Sequence, residues 1–347
     1  MPQFLAKYGR ASHSVRMEIT PHTDSTLESI VPDSRLLEWI EGATGLPYRT
    51  LPGVELDRWC RFHADRVRQA VADDASRVTV GRSGNDAQAL AVVKPLPWDT
   101  EVLGRPVFSL EYLLFDRAAD VDAVVEVVRA AVRGIDSASG SLLYKTSSAD
   151  VPALAAIGRA GFDLLTIHLD HLFDTKLAAE GSHDLDGYEF GEAREDEVEA
   201  IGEVSAHNYA LTDRFTVDPL VPPERVPEVY RQWAMNSVRG FADLVWVARR
   251  DGVPVGFGTW SIQRGLAEAT GVTVAWNGLA SVASSERNRG LFRRIKSGAL
   301  AELHRRGVPW VCSPTNVLNI PTQRCFASVG AYNYAPILTY RLDLARS

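Results

Sequence analysis

The stretch Gly278-Leu-Ala-Ser-Val-Ala-Ser-Ser-Glu-Arg-Asn-Arg-Gly-Leu-Phe292 is the most informative part of the chain. Its apolar start reads as a strand ending at Val282. A polar turn follows, and a helix begins beside Gly290. A helix N-terminus presents N–H groups without intrahelical partners and the positive end of the peptide dipoles. A glycine at the entry lets an anion approach the backbone. Arg287, Arg289, Arg293 and Arg294 add positive charge in a chain of net charge −7. The pattern fits a phosphate cradle. A solvated basic helix start is the plain alternative.

Outward from this stretch the spacing predicts an ordered series of elements. Downstream come a helix over 289–306, a strand over 309–315, a helix over 320–329 stopped by Gly330, and a strand over 337–344. Upstream come helices over 196–208 and 227–238. Strands over 244–250 and 253–263 turn at Asp251-Gly252. The first half repeats the plan. It has a helix over 57–75, strands over 77–81, 88–93 and 106–115, and a helix from Asp120 to about Gly134. A strand over 141–146, a helix over 150–160 stopped by Gly161, and a strand over 163–173 complete it. Both halves end in strand, long helix, strand, short helix, glycine, strand, which points to an internal duplication.

A chain of 347 residues is too long for one comfortable core, so two domains are expected. The expected divisions are a loosely ordered arm over 1–35, a domain over 36–176, a linker over 177–187 and a domain over 188–347. With 46% hydrophobic and 23% charged residues the composition is globular. Net acidity argues against general nucleic-acid binding. No apolar run approaches the roughly 20 residues of a spanning helix, so no membrane partner is expected. Residues 1–16 lack the order of a secretory signal, and a cytoplasmic location is expected. Cys60, Cys312 and Cys325 are odd in number and far apart, which suggests neither a disulfide framework nor a metal site. Only five of the 37 basic residues are lysine, which reads as codon bias.

Arg287-Asn-Arg-Gly290 after an apolar strand resembles the acyl-CoA pyrophosphate loop of the GNAT superfamily of N-acyltransferases. The order that follows also fits: Thr315-Asn-Val-Leu-Asn319, then Cys325-Phe326, then Gly330-Ala331. The resemblance implies an α/β fold of two tandem GNAT-like domains, each a mixed, mostly antiparallel central sheet flanked by helices. In the first half Ala160-Gly-Phe162 is similar to the family's Gly-Phe. Asp116-Arg-Ala-Ala-Asp120, however, places carboxylates where the phosphate loop would be. That half is expected to bind no coenzyme A. Leu96-Pro-Trp-Asp-Thr, Asp213-Arg-Phe215 and Tyr230-Arg-Gln-Trp233 resemble segments of bacterial dTDP-fucosamine acetyltransferases, which pair a degenerate half with an active one.

The resemblance implies acetyl-CoA as co-substrate, held by Ser281, Val282, Arg287, Asn288, Arg289, Gly290, Leu291, Phe292 and Asn319. Asn319 reads equally as a helix N-cap. The acceptor is expected to be a small-molecule primary amine, with a nucleotide-linked amino sugar or a natural-product intermediate as the best guess. Trp98, Asp99, Arg214, Phe215, Tyr230 and Trp233 are the expected acceptor-binding residues. Acyl transfer needs a neutral amine, so a base is sought among His207, Asp213 and Glu268. The family's usual proton-donating tyrosine is replaced by Phe326. Tyr332 and Tyr334 are the candidate substitutes. Phe292 is bulky beside the expected diphosphate, so an acyl carrier protein is the alternative donor. A non-catalytic acyl-CoA- or partner-binding module is the third reading. A monomer or a homodimer is expected.

Overall fold

The computed structural model describes residues 18–22, 27–179, 185–209 and 212–346. The strands are β1 (Glu18–His22), β2 (Arg77–Ser83), β3 (Asp86–Pro95), β4 (Val107–Phe115), β5 (Ser141–Ser147) and β6 (Asp163–Asp174). They continue as β7 (Glu189–Glu192), β8 (Leu244–Arg250), β9 (Val253–Ile262), β10 (Val274–Val282), β11 (Trp310–Asn316) and β12 (Tyr332–Asp343). All twelve form one sheet in the order β1-β2-β3-β4-β5-β12-β6-β11-β10-β9-β8-β7. β4 with β5 and β10 with β11 are parallel, and the other neighbours are antiparallel.

The sheet is mixed, mostly antiparallel and flanked by helices, as the sequence suggests. It is not divided into two sheets. β12 from the end of the chain lies between β5 and β6, and β6 lies between β12 and β11. Each half thus contributes its last strand to a shared centre. The long β6–β12 ladder, with Ile337 opposite His168 and Thr339 opposite Thr166, joins the two halves through backbone hydrogen bonds.

Strand alternation sends Leu172 and Phe173 to opposite faces, and each face carries helices from both halves. On one face, helices Asp33–Gly42 and Leu56–Ala72 bury Trp39, Ile40, Trp59 and Val67. Helices Val198–His207 and Val226–Asn236 bury Ile201, Val229 and Tyr230 there. The other face carries helices Val121–Arg133 and Val151–Arg159, then Leu291–Arg305 and Ile320–Ser328. Helix Leu291–Arg305 shows why. Leu291, Ile295, Ala299, Leu300 and Leu303 repeat at helical spacing and are all buried. Burying each leucine or isoleucine contributes about 1.5–3 kcal/mol. Lys296 is the one charged residue in the same buried set.

The expected loose arm over 1–35 is packed in its described part. β1 pairs with β2 from Glu18↔Arg82 to His22↔Val78, and Leu27, Ile30 and Val31 are buried. The polar composition conceals these few apolar anchors. Residues 1–17 and 23–26 lie outside the described residues, as do 180–184 of the expected linker. No described helix is long and apolar enough to cross a membrane.

Candidate active site

β10 and β11 pair only over Val274–Trp276 and Trp310–Cys312. Immediately beyond, β10 loses register with β9 between Asn277 and Ala280. Such a bulge bends its strand and increases the twist. Thr259 fills the break. Its Oγ1 accepts the Leu279 N–H at 2.9 Å, and its carbonyl accepts the Asn277 side-chain amide at 2.8 Å. A Cβ at Gly278 would stand 3.2 Å from that Oγ1 and 3.7 Å from Trp233, so the missing side chain gives the room. Past this point the two strands part. A cleft of ≈ 1210 Å³ opens between Gly278–Val282 on one side and Pro314–Asn316 on the other.

Lys296 stands at the root of the opening, 1% exposed. Its Nζ donates to Asn277 Oδ1 on β10 at 3.0 Å and to Ser313 Oγ on β11. The rings of Phe173, Phe326 and Trp260 lie 4.4, 4.8 and 5.4 Å from it. Burial pushes the ammonium down to about 7.

One end of the cleft meets the start of helix Leu291–Arg305. Asn288 and Gly290 hold positive φ of 62° and 78°, turning the chain so that the helix begins at the cleft wall. A Cβ on Gly290 would meet nothing within 4 Å, so the space beside it is open. Arg287 and Arg293 line this end. Arg287 is steadied by the Val282 carbonyl and by Asn208 Oδ1, each at 3.3 Å. The one carboxylate of the loop, Glu286, accepts from the Tyr188 hydroxyl and from Arg250 at 3.0 Å, and Tyr188 then Arg250 hold it below its usual range. In the first half the backbone over 116–122 is engaged by its own carboxylates. Asp116 accepts from Ala118 N at 2.9 Å, and Asp120 from Asp122 N at 3.1 Å.

The deeper end is lined by Lys145, His168, Asp170, Asp213 and Arg214, with an aromatic wall. Trp98 from the first half lies 6.4 Å from both Phe215 and Trp233. Asp99 is buried and holds Arg214, whose guanidinium lies 3.9 Å over Phe215. Asp213 caps helix Arg214–Val217 through Phe215 N at 3.2 Å. Burial pushes Asp170 up to about 7. His168 is lowered, first by burial. Lys145 reaches cleft solvent but is ringed by protein, which lowers its pKa.

The expected residues divide sharply. Ser281, Val282, Arg287, Asn288, Gly290, Leu291, Phe292 and Asn319 line the cleft, as do Trp98, Arg214, Phe215, Tyr230 and Trp233. Ser281 donates to the Asn208 carbonyl at 2.9 Å, and Asn319 caps its helix through Thr322 N at 3.4 Å. Arg289 is not part of the lining and lies 3.8 Å from Glu286. Asp99 acts on the cleft only through Arg214. Tyr230 and Phe215 are 2% exposed and serve mainly as packing behind Trp233 and Trp98.

Of the five candidate catalytic residues only Asp213 lines the cleft, and it is engaged as a helix cap; His207, Glu268, Tyr332 and Tyr334 do not line it. The His207 side chain is exposed and bonds back to the Glu203 carbonyl at 3.0 Å. Glu268 is not in a turn between strands. It is exposed on helix Arg264–Thr270, which packs on helix Leu56–Ala72. Tyr332 is 46% exposed at the start of β12. Tyr334 packs against the first-half core, its hydroxyl bonded to Thr50 and raised by burial to about 12. Alternation along β12 and the exchange of strands decide where these tyrosines go, and neither is visible in local sequence. The residues that sequence reasoning passed over are Lys145, His168, Asp170 and Lys296. Two signals point to them. Thr166, His168 and Asp170 form an alternating polar row among the leucines and isoleucine of β6. Lys145 and Lys296 are two of only five lysines in the chain.

No protein-family model matches the sequence, and the comparison with curated proteins found no match. Solved structures do match. A GCN5-related N-acetyltransferase from Sphaerobacter thermophilus aligns with TM-score 0.60 and 12% identity over 94% of this chain and 96% of its own. A tandem GNAT protein from the clavulanic acid biosynthesis pathway aligns with TM-score 0.54 and 15% identity over 96% of this chain and 100% of its own. A glucosamine N-acetyltransferase region of a fungal multi-domain β-N-acetylglucosaminidase aligns with TM-score 0.59 and 12% identity. That match covers 94% of this chain and 38% of the fungal one. The chain therefore has the fold of the GNAT superfamily acetyltransferases.

Proposed function

We propose that the chain is an N-acyltransferase that moves an acetyl or other short acyl group from acyl-CoA to a primary amine. The carrying observation is the continuous cleft from the parting of β10 and β11 to the Gly290 loop. Its features suit the donor. The open helix start with Arg287 and Arg293 would hold the diphosphate. The unpaired edges of β10 and β11 offer backbone groups to the pantetheine amides, beside Ser281, Val282 and Asn319. The thioester supplies an activated carbonyl, and the chain's own residues orient it and receive the amine.

The repeated strand order supports reading 36–176 and 188–347 as two copies of one unit. The first copy holds no donor, because Asp116 and Asp120 occupy its loop. It instead walls the acceptor end through Trp98, Lys145, His168 and Asp170. The acceptor is a small amine, with a nucleotide-linked amino sugar or a natural-product intermediate as the leading classes. The test is calorimetry with CoA, then mass spectrometry of the protein with acetyl-CoA and an amine panel. Micromolar CoA binding and at least one acetylated amine are expected. Absence of CoA binding overturns the donor assignment.

Phe292 favours one second reading. It lines the cleft where the diphosphate would lie, with its ring 6.1 Å from that of Phe326. A phosphopantetheinyl carrier protein brings no diphosphate. Acyl transfer from such a carrier, with no binding of CoA, is the result that selects it.

A further inference from the structure

Thr339 on β12 stands opposite Lys145 on β5 and opposite Thr166 on β6. Residues opposite each other in a ladder share a face, and so do alternate residues of one strand. Lys145, Thr339, His168 and Asp170 therefore project to one face of the sheet, and all four line the cleft. Asp170 is 5% exposed, and its Oδ1 has no hydrogen-bond partner. A buried oxygen of this kind is costly unless a ligand donates to it. Lys145 is its counterpart. It forms no ion pair among the described residues, whereas Arg214 is engaged by Asp99 and Asp213 by its helix cap. Among the described residues, one carboxylate oxygen without a hydrogen-bond partner and one ammonium without an ion pair thus face the same space, while the Cys312 thiol bonds the Asp170 carboxyl. They stand on strands separated by β12, and Asp170 is opposite Ala335, four residues along from the Thr339 that faces Lys145, so their Cα atoms are about 16 Å apart. Trp98 and Trp233 wall that space.

We propose that the acceptor is a ring-bearing primary amine that also carries an acidic group, its ammonium seated against Asp170 and its carboxylate or phosphate against Lys145. This rests on the acyl-transfer reading above. The ammonium gives one proton to Asp170. The neutral nitrogen attacks the thioester carbonyl, and a C–N bond forms. As the C–S bond breaks, its electron pair leaves on sulfur, which takes the second nitrogen proton. The products are an amide, a thiol and a protonated Asp170, which returns its proton to solvent. Asp170 would be a catalytic residue and Lys145 a specificity residue, both supplied by strands of the first half.

The test uses the full chain, acetyl-CoA and two matched amine pairs: glucosamine with glucosamine 6-phosphate, and benzylamine with 4-(aminomethyl)benzoate. At least one acidic member should exceed its uncharged partner in kcat/KM by 100-fold or more. Which pair responds tells phosphate from carboxylate. Lys145→Met should raise KM for the acidic amine and shrink the preference at least tenfold. Asp170→Asn should lower kcat at least 100-fold. Both variants should bind CoA with unchanged affinity and melt cooperatively. If CoA binds but the paired amines react equally, or none reacts, this inference fails while the donor assignment stands. If CoA does not bind, the donor assignment fails and the inference falls with it. A Lys145→Met enzyme with undiminished preference also overturns it.

Discussion

Lys296 Nζ lies 3.0 Å from Asn277 Oδ1, and this bond crosses the point where β10 parts from β11. The same ammonium reaches Ser313 on β11. The two strands have no backbone ladder beyond Trp276 and Cys312. A buried side chain from a third element therefore ties them together at the root of the cleft.

Lys296→Met keeps the aliphatic stem and removes the tie. In the wild type, burial lowers the group from 10.5 to about 7. Between those values the unfolded lysine holds a proton that the folded one has lost, so stability rises with pH across that window. The upper bound is about 4–5 kcal/mol. Urea melts from pH 6 to 10 should show this rise in the wild type and a flat profile in the variant. CoA affinity should fall about tenfold as the cleft loses its fixed width.

Asp170 gives the opposite slope. Its carboxyl is raised from 3.8 to about 7, so the folded state keeps a proton that the unfolded chain loses. Stability therefore falls as pH rises from about 4 to about 7, and Asp170→Asn should be the more stable protein at pH 8, by about 2–4 kcal/mol. The groups facing it are Lys145 on β5, Cys312 on β11, Tyr334 on β12, and Tyr48. The Cys312 thiol and both tyrosines are raised further from neutrality, and His168 on the same strand is lowered. Activity should accordingly lose its acid limb near pH 7 in the asparagine variant. A wild-type kcat/KM that is flat from pH 5.5 to 8 contradicts the assignment.

Gly290→Asp places a charge at the helix start and an L side chain at φ 78°. The open space beside Gly290 means that folding survives. Strain of about 1–2 kcal/mol is expected. CoA affinity should drop at least 100-fold by calorimetry. Gly290→Ala shares the strain but not the charge, and should lose far less.

Tyr332→Phe and Tyr334→Phe should each leave kcat within twofold, since neither residue lines the cleft. Tyr334→Phe should lose about 1 kcal/mol of stability with its Thr50 hydrogen bond. A tenfold fall in kcat with unchanged stability would return that tyrosine to the catalytic set.

A chain beginning at Gly187 lacks β6, which lies between β11 and β12. It should show no cooperative thermal transition. Full activity in that fragment is the result this arrangement forbids.

The repeated element order, the Gly290 loop and the cleft lining around it were legible because they are local. Helical and strand periods placed helix Leu291–Arg305 and strands β8 to β11 within a few residues. β1, β7 and helix Asp33–Gly42 escaped notice because each is short or mostly polar. Three residues of the deeper end were not legible, for a different reason. Lys145, His168 and Asp170 share a cleft with β10 only because β12 and β6 exchange places at the centre of the sheet, and no spacing along the chain records that exchange. The arginine-rich composition also masked a signal. Where nearly every cation is arginine, the few lysines mark special positions. Arginine suits a phosphate or a paired carboxylate, whereas lysine can shed its proton when buried.

The exchange at the centre of the sheet also sets an order of assembly. During synthesis β5 and β6 leave the ribosome long before β12, which must lie between them. Until then the first half has an open edge at β5 and an unplaced strand in β6. Such unpaired edges invite pairing with other chains. The nascent first half should therefore depend on chaperone protection until the final twelve-residue strand arrives. Closing this single slot then completes both halves and their shared cleft in one event.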